Sequence, residues 1–213
     1  MSDPSVRREA TASADHVPHV DVIRRHLLDS AEVKRQAADR CAADIERAAK
    51  LVAECLRNGG RLLLCGNGGS AADSQHIAAE FTSTLRRDIV RPALAAIALT
   101  TDTSFLTARA NDFGFDDVFA RQVEALGRFG DVLIGISTSG KSVNVIRAAA
   151  RAKTLGMSTI GLTGAAGGGV GDNADVAIRI PSTDVQHVQE AHIAVGHVLC
   201  LLCEEILFGD GRR

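Results

Sequence analysis

LLLCGNGGSAADSQHIAAEF, residues 62–81, is the stretch on which the fold turns. Leu62 to Cys65 is a short, unbroken apolar run, the pattern of a strand covered on both faces rather than of a half-exposed one. Gly66-Asn67-Gly68-Gly69-Ser70 follows at once, and a helical pattern begins at Ser70. Glycines there let the backbone turn tightly and approach a ligand closely. The helix that follows offers unpaired N–H groups and a positive dipole end, which together suit an anion.

The same texture repeats downstream. Four more short apolar runs, at 93–99, 132–136, 159–162 and 176–180, alternate with helical patterns near 70–87, 102–110, 116–128 and 142–155, before a long helix at 184–208. Strand, turn and helix in succession predict an α/β layered fold with a parallel sheet. Upstream, apolar residues at helical spacing predict two N-terminal helices. One runs through Ile23, Leu27, Leu28 and Val33, the other from Ala42 to Leu56, stopping at Asn58-Gly59-Gly60. The domain reading is a flexible arm at 1–19, N-terminal helices at 20–59, and a sheet-bearing domain at 60–213.

The third strand opens a second loop, Ser137-Thr138-Ser139-Gly140-Lys141-Ser142, with four hydroxyl side chains in six residues. Hydroxyls at a strand end that opens a helix can cradle a phosphate. Neither loop fits the P-loop or dinucleotide patterns. Each alone reads equally as a tight, N-capped turn. Two of them at carboxyl ends of strands in one sheet favour an anion site.

His76 and Glu80 stand one turn apart on one helix face, and Gln189 and His197 share a face of the last helix, with His192 offset from it. Imidazoles and a carboxylate converging from two helices can hold a divalent metal or form a proton-transfer pair. By spacing alone, His76 and Glu80 read as well as a surface pair, and His197 as a core histidine. His16, His19, His26 and His187 read as solvent-facing.

The 213 residues carry 24 Lys plus Arg against 26 Asp plus Glu, so no basic excess is present to coat a nucleic acid. With no Trp and no Tyr, stacking platforms for single strands are scarce. Five cysteines at wide spacing do not suggest a disulfide framework, and Cys200 and Cys203 read as core thiols in an apolar helix. The first residues lack an apolar signal core, and no unbroken apolar run reaches the roughly 18 residues of a membrane span. A cytoplasmic protein, with neither nucleic acid nor membrane as partner, is expected.

The stretches at 65–81, 100–115, 130–142 and 188–199 together resemble the sugar isomerase (SIS) domain family, and within it the sedoheptulose 7-phosphate isomerases. GNGGS and STSG are shared by many sugar-phosphate binders; HxxxE with QExHxxxxH is much narrower. The resemblance implies a three-layer sandwich with a five-stranded parallel sheet flanked by helices, and a homotetramer that the N-terminal helices at 20–59 help to build, with active sites between subunits. It implies substrate binding by Asn67, Gly68, Gly69, Ser70, Asn111, Asp112, Ser137, Thr138, Ser139, Ser142 and Gln189. It implies one zinc per subunit on His76, Glu80, Gln189 and His197, with Glu80 and His197 also as acid–base pair. The implied reaction converts sedoheptulose 7-phosphate to D-glycero-D-manno-heptose 7-phosphate through an enediol, the first step of ADP- or GDP-heptose biosynthesis. Two departures stand out. Thr84 occupies a position that is basic in many relatives, with Arg86 and Arg87 close by, and the N-terminal arm is long. Two rivals remain: a DnaA-binding replication regulator of the same family, which typically lacks the counterparts of Glu80 and His197, and a non-catalytic sugar-phosphate sensor, which needs neither.

Overall fold

The computed structural model describes residues 18–209. The expected arm at 1–19 lies outside them apart from its last two residues, and so does His16. Five strands form one all-parallel sheet in the order β2-β1-β3-β4-β5. They are β1 (Leu62–Gly66), β2 (Ala96–Ala98), β3 (Val132–Ser137), β4 (Ser158–Thr163) and β5 (Val176–Arg179). The helices are α1 (His19–Arg57), α2 (Gly69–Thr82), α3 (Thr103–Phe113), α4 (Val118–Leu126), α5 (Val143–Thr154), α6 (Gly168–Asp172) and α7 (Val185–Phe208).

Alternation along β1 sorts the layers. Leu62 and Leu64 face a core shared with α1, α2 and α7, whereas Leu63 and Cys65 face α4 and α5. Both sets are buried, as a parallel sheet sandwiched between helices requires. The chain leaves β1 toward β2 on one side, and β3 pairs on the other. That reversal of strand order is a topological switch point, where open α/β sheets place their ligands. The two glycine- and serine-rich loops leave β1 and β3 side by side, with Gly66 paired to Ile136.

The expected pair of N-terminal helices is one continuous helix, α1, of 39 residues. Apolar residues thin out between Val33 and Ala42, but no Gly or Pro interrupts. Good helix formers carry the turns across, tied by Arg35 to Glu32 (2.8 Å) and Asp39 (3.0 Å). The expected strand at 93–99 is shorter, since only Ala96–Ala98 pair with β1. α6, unforeseen in the glycine cluster, is a single short turn. α7 is long and apolar enough, by length and composition, to cross a membrane. Here it is a core helix, packed on α1 and α2, and it carries the buried Arg91–Glu204 ion pair. The five cysteines are free and buried, and burial pushes the Cys65 and Cys203 thiols up to about 12.

Candidate active site

The loop after β1 forms because Gly68 takes a positive φ of +55°, which lets the chain turn straight into α2. Gly69 is required for space rather than conformation. A Cβ there would stand 1.7 Å from Nε2 of Gln189, so the amide lies directly on the glycine. In the neighbouring loop Gly140, at φ +67°, approaches the 164–168 turn so closely that a Cβ would meet the Gly167 carbonyl oxygen. Ser137 and Ser142 hydroxyls lie 2.9 Å apart, and Ser139 Oγ accepts from the Lys141 N–H (3.2 Å). Ser70 and Ser137 are buried, Thr138 and Ser142 half-buried, and Ser139 exposed. The Lys141 side chain is exposed.

A contact absent from the sequence reading ties the two loops. Asn67 and Asn144 exchange two hydrogen bonds, Nδ2 to Oδ1 in each direction, both 2.9 Å. The same Asn144 oxygen accepts from Val145 N–H (3.0 Å), which fixes the amide's orientation. Asn144 lies 77 residues from Asn67 and carries no motif of its own, so only the register of β1 on β3 reveals the pair.

His76, Glu80 and His197 converge. Their ligand atoms lie within 4.8 Å of one another. His76 Nε2 is 2.9 Å from His197 Nε2 and 3.3 Å from Glu80 Oε1. Position i to i+4 on α2 supplies the first pair, and α7, packed across α2, supplies His197. Thus His76 and Glu80 are not a lone surface pair, and His197 is half-buried at the cluster rather than in the core. Two imidazole nitrogens and a carboxylate oxygen are donors suited to zinc, and a 2.9 Å approach of two ring nitrogens from different helices draws the donors to one point. Gln189, two turns before His197 on α7, points to Gly69 at the start of α2. Asp73, buried beside Gln189, is held up at about 6 by that burial, with His76 pulling the other way.

Other residues fall elsewhere. Asn111 donates to Asp112 (2.8 Å), and both are exposed on α3, which buries no residue. His192 is fully buried and faces the end of β4 near Thr163; burial pushes its imidazole down to about 4. His187, expected in solvent, is buried because α1 runs over the start of α7 and sets His26 Nδ1 3.4 Å from His187 Nε2. Thr84 Oγ1 donates to the Arg86 carbonyl (2.8 Å), and the Arg86 guanidinium is held by Asp88 (2.7 Å).

The sequence model of the SIS domain matches residues 26–164. The chain belongs to the SIS domain family. Its branch is that of the phosphoheptose isomerases. The phosphoheptose isomerase of Roseiflexus sp. is 56% identical over 194 residues, covering 89% of this chain and 98% of that one. The solved phosphoheptose isomerase GmhA from Neisseria gonorrhoeae superposes with a TM-score of 0.82 at 45% identity, over 88% of this chain and 99% of its own. That from Francisella tularensis gives 0.85 at 37%, over 89% and 100%. The SIS domain here thus pairs both switch-point loops with the His–Glu–His cluster.

Proposed function

We propose that the chain interconverts sedoheptulose 7-phosphate and D-glycero-D-manno-heptose 7-phosphate, working as an aldose–ketose isomerase at the head of ADP- or GDP-heptose biosynthesis. The observation that carries this reading is the cluster of His76, Glu80 and His197 within 4.8 Å, on the helix that the glycine loop opens. His76 stands seven residues into α2, roughly 10 Å from its N-terminus. A sugar phosphate then lies with its phosphate on the Ser137–Ser142 and Asn67–Ser70 loops and its C1–C2 end at the cluster.

The chemistry moves one carbon-bound proton. Glu80 takes a proton from C1 of the ketose, the C2 carbonyl oxygen becomes a hydroxyl, and the enediol forms. Return of a proton to C2 and loss of the O1 proton give the aldehyde. His197 handles the protons at C2 and the oxygens. Asn67, held by Asn144, orients the chain of hydroxyls. A carboxylate base acting on carbon needs an aligned partner and little water, and groups in such roles contribute roughly 10²–10⁴-fold. His76, Glu80, Gln189 and His197 would hold zinc, which when bound supplies positive charge beside the oxygens where negative charge develops.

The same reading extends to assembly and location. A row of exposed apolar residues on α1, Val20, Ile23, Leu27 and Leu28, suits burial between copies of a cytoplasmic homotetramer. Asn111 and Asp112, exposed on α3, would then reach substrate at a subunit boundary. Neither rival is favoured: both acid–base residues absent from the DnaA-binding relative stand in the cluster, and a sensor has no use for them.

The test is turnover of sedoheptulose 7-phosphate by purified protein, with and without a chelator. Glu80→Gln should lower turnover at least 100-fold while substrate still binds. His197→Gln should stop turnover yet allow exchange of the C1 proton with deuterium from solvent. Binding of the sugar phosphate by the wild type, with no proton exchange at all, would transfer the argument to the sensor.

A further inference from the structure

Resting on that reading, we infer that Arg91 and Glu204 are positioning residues for the acid–base cluster: a buried fork that clamps the backbone of Glu80 to the helix bearing His197. Arg91 follows α2 in the irregular segment before β2, and Glu204 lies on α7. Both side chains are only 1% exposed. Arg91 Nε donates to Glu204 Oε1 (2.8 Å), Nη2 to the carbonyl of Glu80 (2.8 Å), and Nη1 to the carbonyls of Phe81 (2.9 Å) and Pro92 (3.1 Å). Glu204 Oε1 also accepts from Leu85 N–H (3.3 Å).

The carbonyls of Glu80 and Phe81 are in the last turn of α2, whose final four carbonyls have no partner within the helix. No glycine closes α2; Ser83 follows it. Arg91 therefore does the work of a C-cap, and the first carbonyl it takes belongs to the residue assigned as base. Glu204 stands seven residues, two turns, beyond His197 on the same face of α7. One guanidinium thus fixes Glu80 relative to His197, across two helices joined by no other ion pair among the described residues. Arginine is the residue suited to this, since its rigid planar fork reaches a carboxylate and two carbonyls at once.

A lysine at 91 retains the charge but cannot span those partners. Arg91→Lys should lower kcat by 10-fold or more and change KM for sedoheptulose 7-phosphate by less than 3-fold, because the phosphate loops lie at the other end of α2. It should also weaken zinc retention at least 10-fold, measured without substrate by competition against a coloured chelator. Glu204→Gln, which keeps the Oε1 acceptor and the packing, should show the same pattern at smaller amplitude. Val123→Ala, on α4 in the core on the opposite face of the sheet, serves as a control that lowers the melting temperature away from both helices. At a temperature where all variants are folded, it should keep kcat and zinc retention. Wild-type kcat and retention in Arg91→Lys would overturn the inference. So would equal losses in Val123→Ala at matched stability, which would make the effect general destabilisation. An inactive wild type whose zinc retention still depends on Arg91 would overturn the isomerase reading and leave the clamp standing.

Discussion

Gly69→Ala isolates the seat of Gln189 with a single methyl group. The backbone accepts the change: Gly69 opens α2 without a positive φ, and alanine is the better helix former by about 1 kcal/mol. The methyl carbon, however, would stand 1.7 Å from Gln189 Nε2, 2.4 Å from Cδ and 2.5 Å from Oε1. Ordinary contact begins near 3.4 Å, so the amide must retreat by roughly 1.7 Å. Gln189 is a flexible, half-buried side chain and can move, so the fold survives and the loss falls on the site. A misplacement of about 1 Å in a positioned group can cost on the order of 100-fold in rate. Gly69→Ala should therefore lower kcat/KM by about that factor, with a melting temperature within a few degrees of wild type. Gln189→Ala should lower activity comparably, and added zinc should partly restore it. Once Gln189 is alanine the methyl at 69 has nothing to displace, so the double variant should be little worse than either single one. Initial rates with sedoheptulose 7-phosphate, read with metal content and a melting curve, decide it. Wild-type turnover in Gly69→Ala, or strictly additive losses in the double variant, would refute the placement of Gln189 in the working site.

Ser139→Ala should weaken binding of sugar phosphate by about 1–3 kcal/mol, with smaller change in turnover, as expected for loss of one charge-assisted bond; unchanged affinity in a direct titration would remove Ser139 from the cradle. His192 makes the fold sensitive to acid. Its folded value of about 4 lies below the ordinary 6.5, so the unfolded chain takes the proton first, and stability is full above about pH 6.5 and falls toward pH 4. Lowering pH from 7.5 to 5 should cost about 2 kcal/mol through this group alone. Asp73, pushed up to about 6, works in the opposite sense over that range, so the comparison is with His192→Leu, whose urea midpoint should fall less. Equal pH dependence in the two proteins would contradict the burial argument. Leu27→Glu with Leu28→Glu, both on the exposed start of α1, should split the assembly in light scattering; a wild-type monomer would end the tetramer reading.

The sheet and its loops were legible because their causes are local. Leu62–Leu64, Ile134 and Ile136 are buried on both faces and announce themselves as unbroken apolar runs, and the turns after them require Gly68 and Gly140 at positive φ. Helix-spaced pairs, His76 with Glu80 and Gln189 with His197, were legible for the same reason. Their meeting was not, since it depends on how α7 crosses α2. Asn144 and Arg91 were missed because each is defined by a partner far along the chain, 77 and 113 residues away. The error in α1 had a different origin. Apolar periodicity reports which face is buried, and the middle of α1 buries little beyond Ala37 and Cys41, so the signal lapsed while the helix continued on propensity and ion pairs.

The two halves of the site answer to different physical demands. A phosphate must be held through every step and released afterwards. On the proposed reading, hydroxyls and backbone N–H groups at two helix N-termini would bind it by geometry, without a buried arginine that would hold it against release. The proton-transfer half has the reverse requirement. Its groups must stay aligned while charge moves among them, so its rigidity comes from below: Arg91 and Glu204 fix the helix backbones, and Gly69 lets Gln189 lie flat on α2. Asn67 and Asn144 join the halves, coupling the loop that opens α2 to the start of α5. A substrate seated on the serine loop therefore meets a helix whose entrance is tied to that loop and whose far end is clamped to α7. The distance between phosphate and reacting carbons is then a property of α2 itself, which lets one fold favour sugars of a given chain length through a helix rather than through contacts to each hydroxyl.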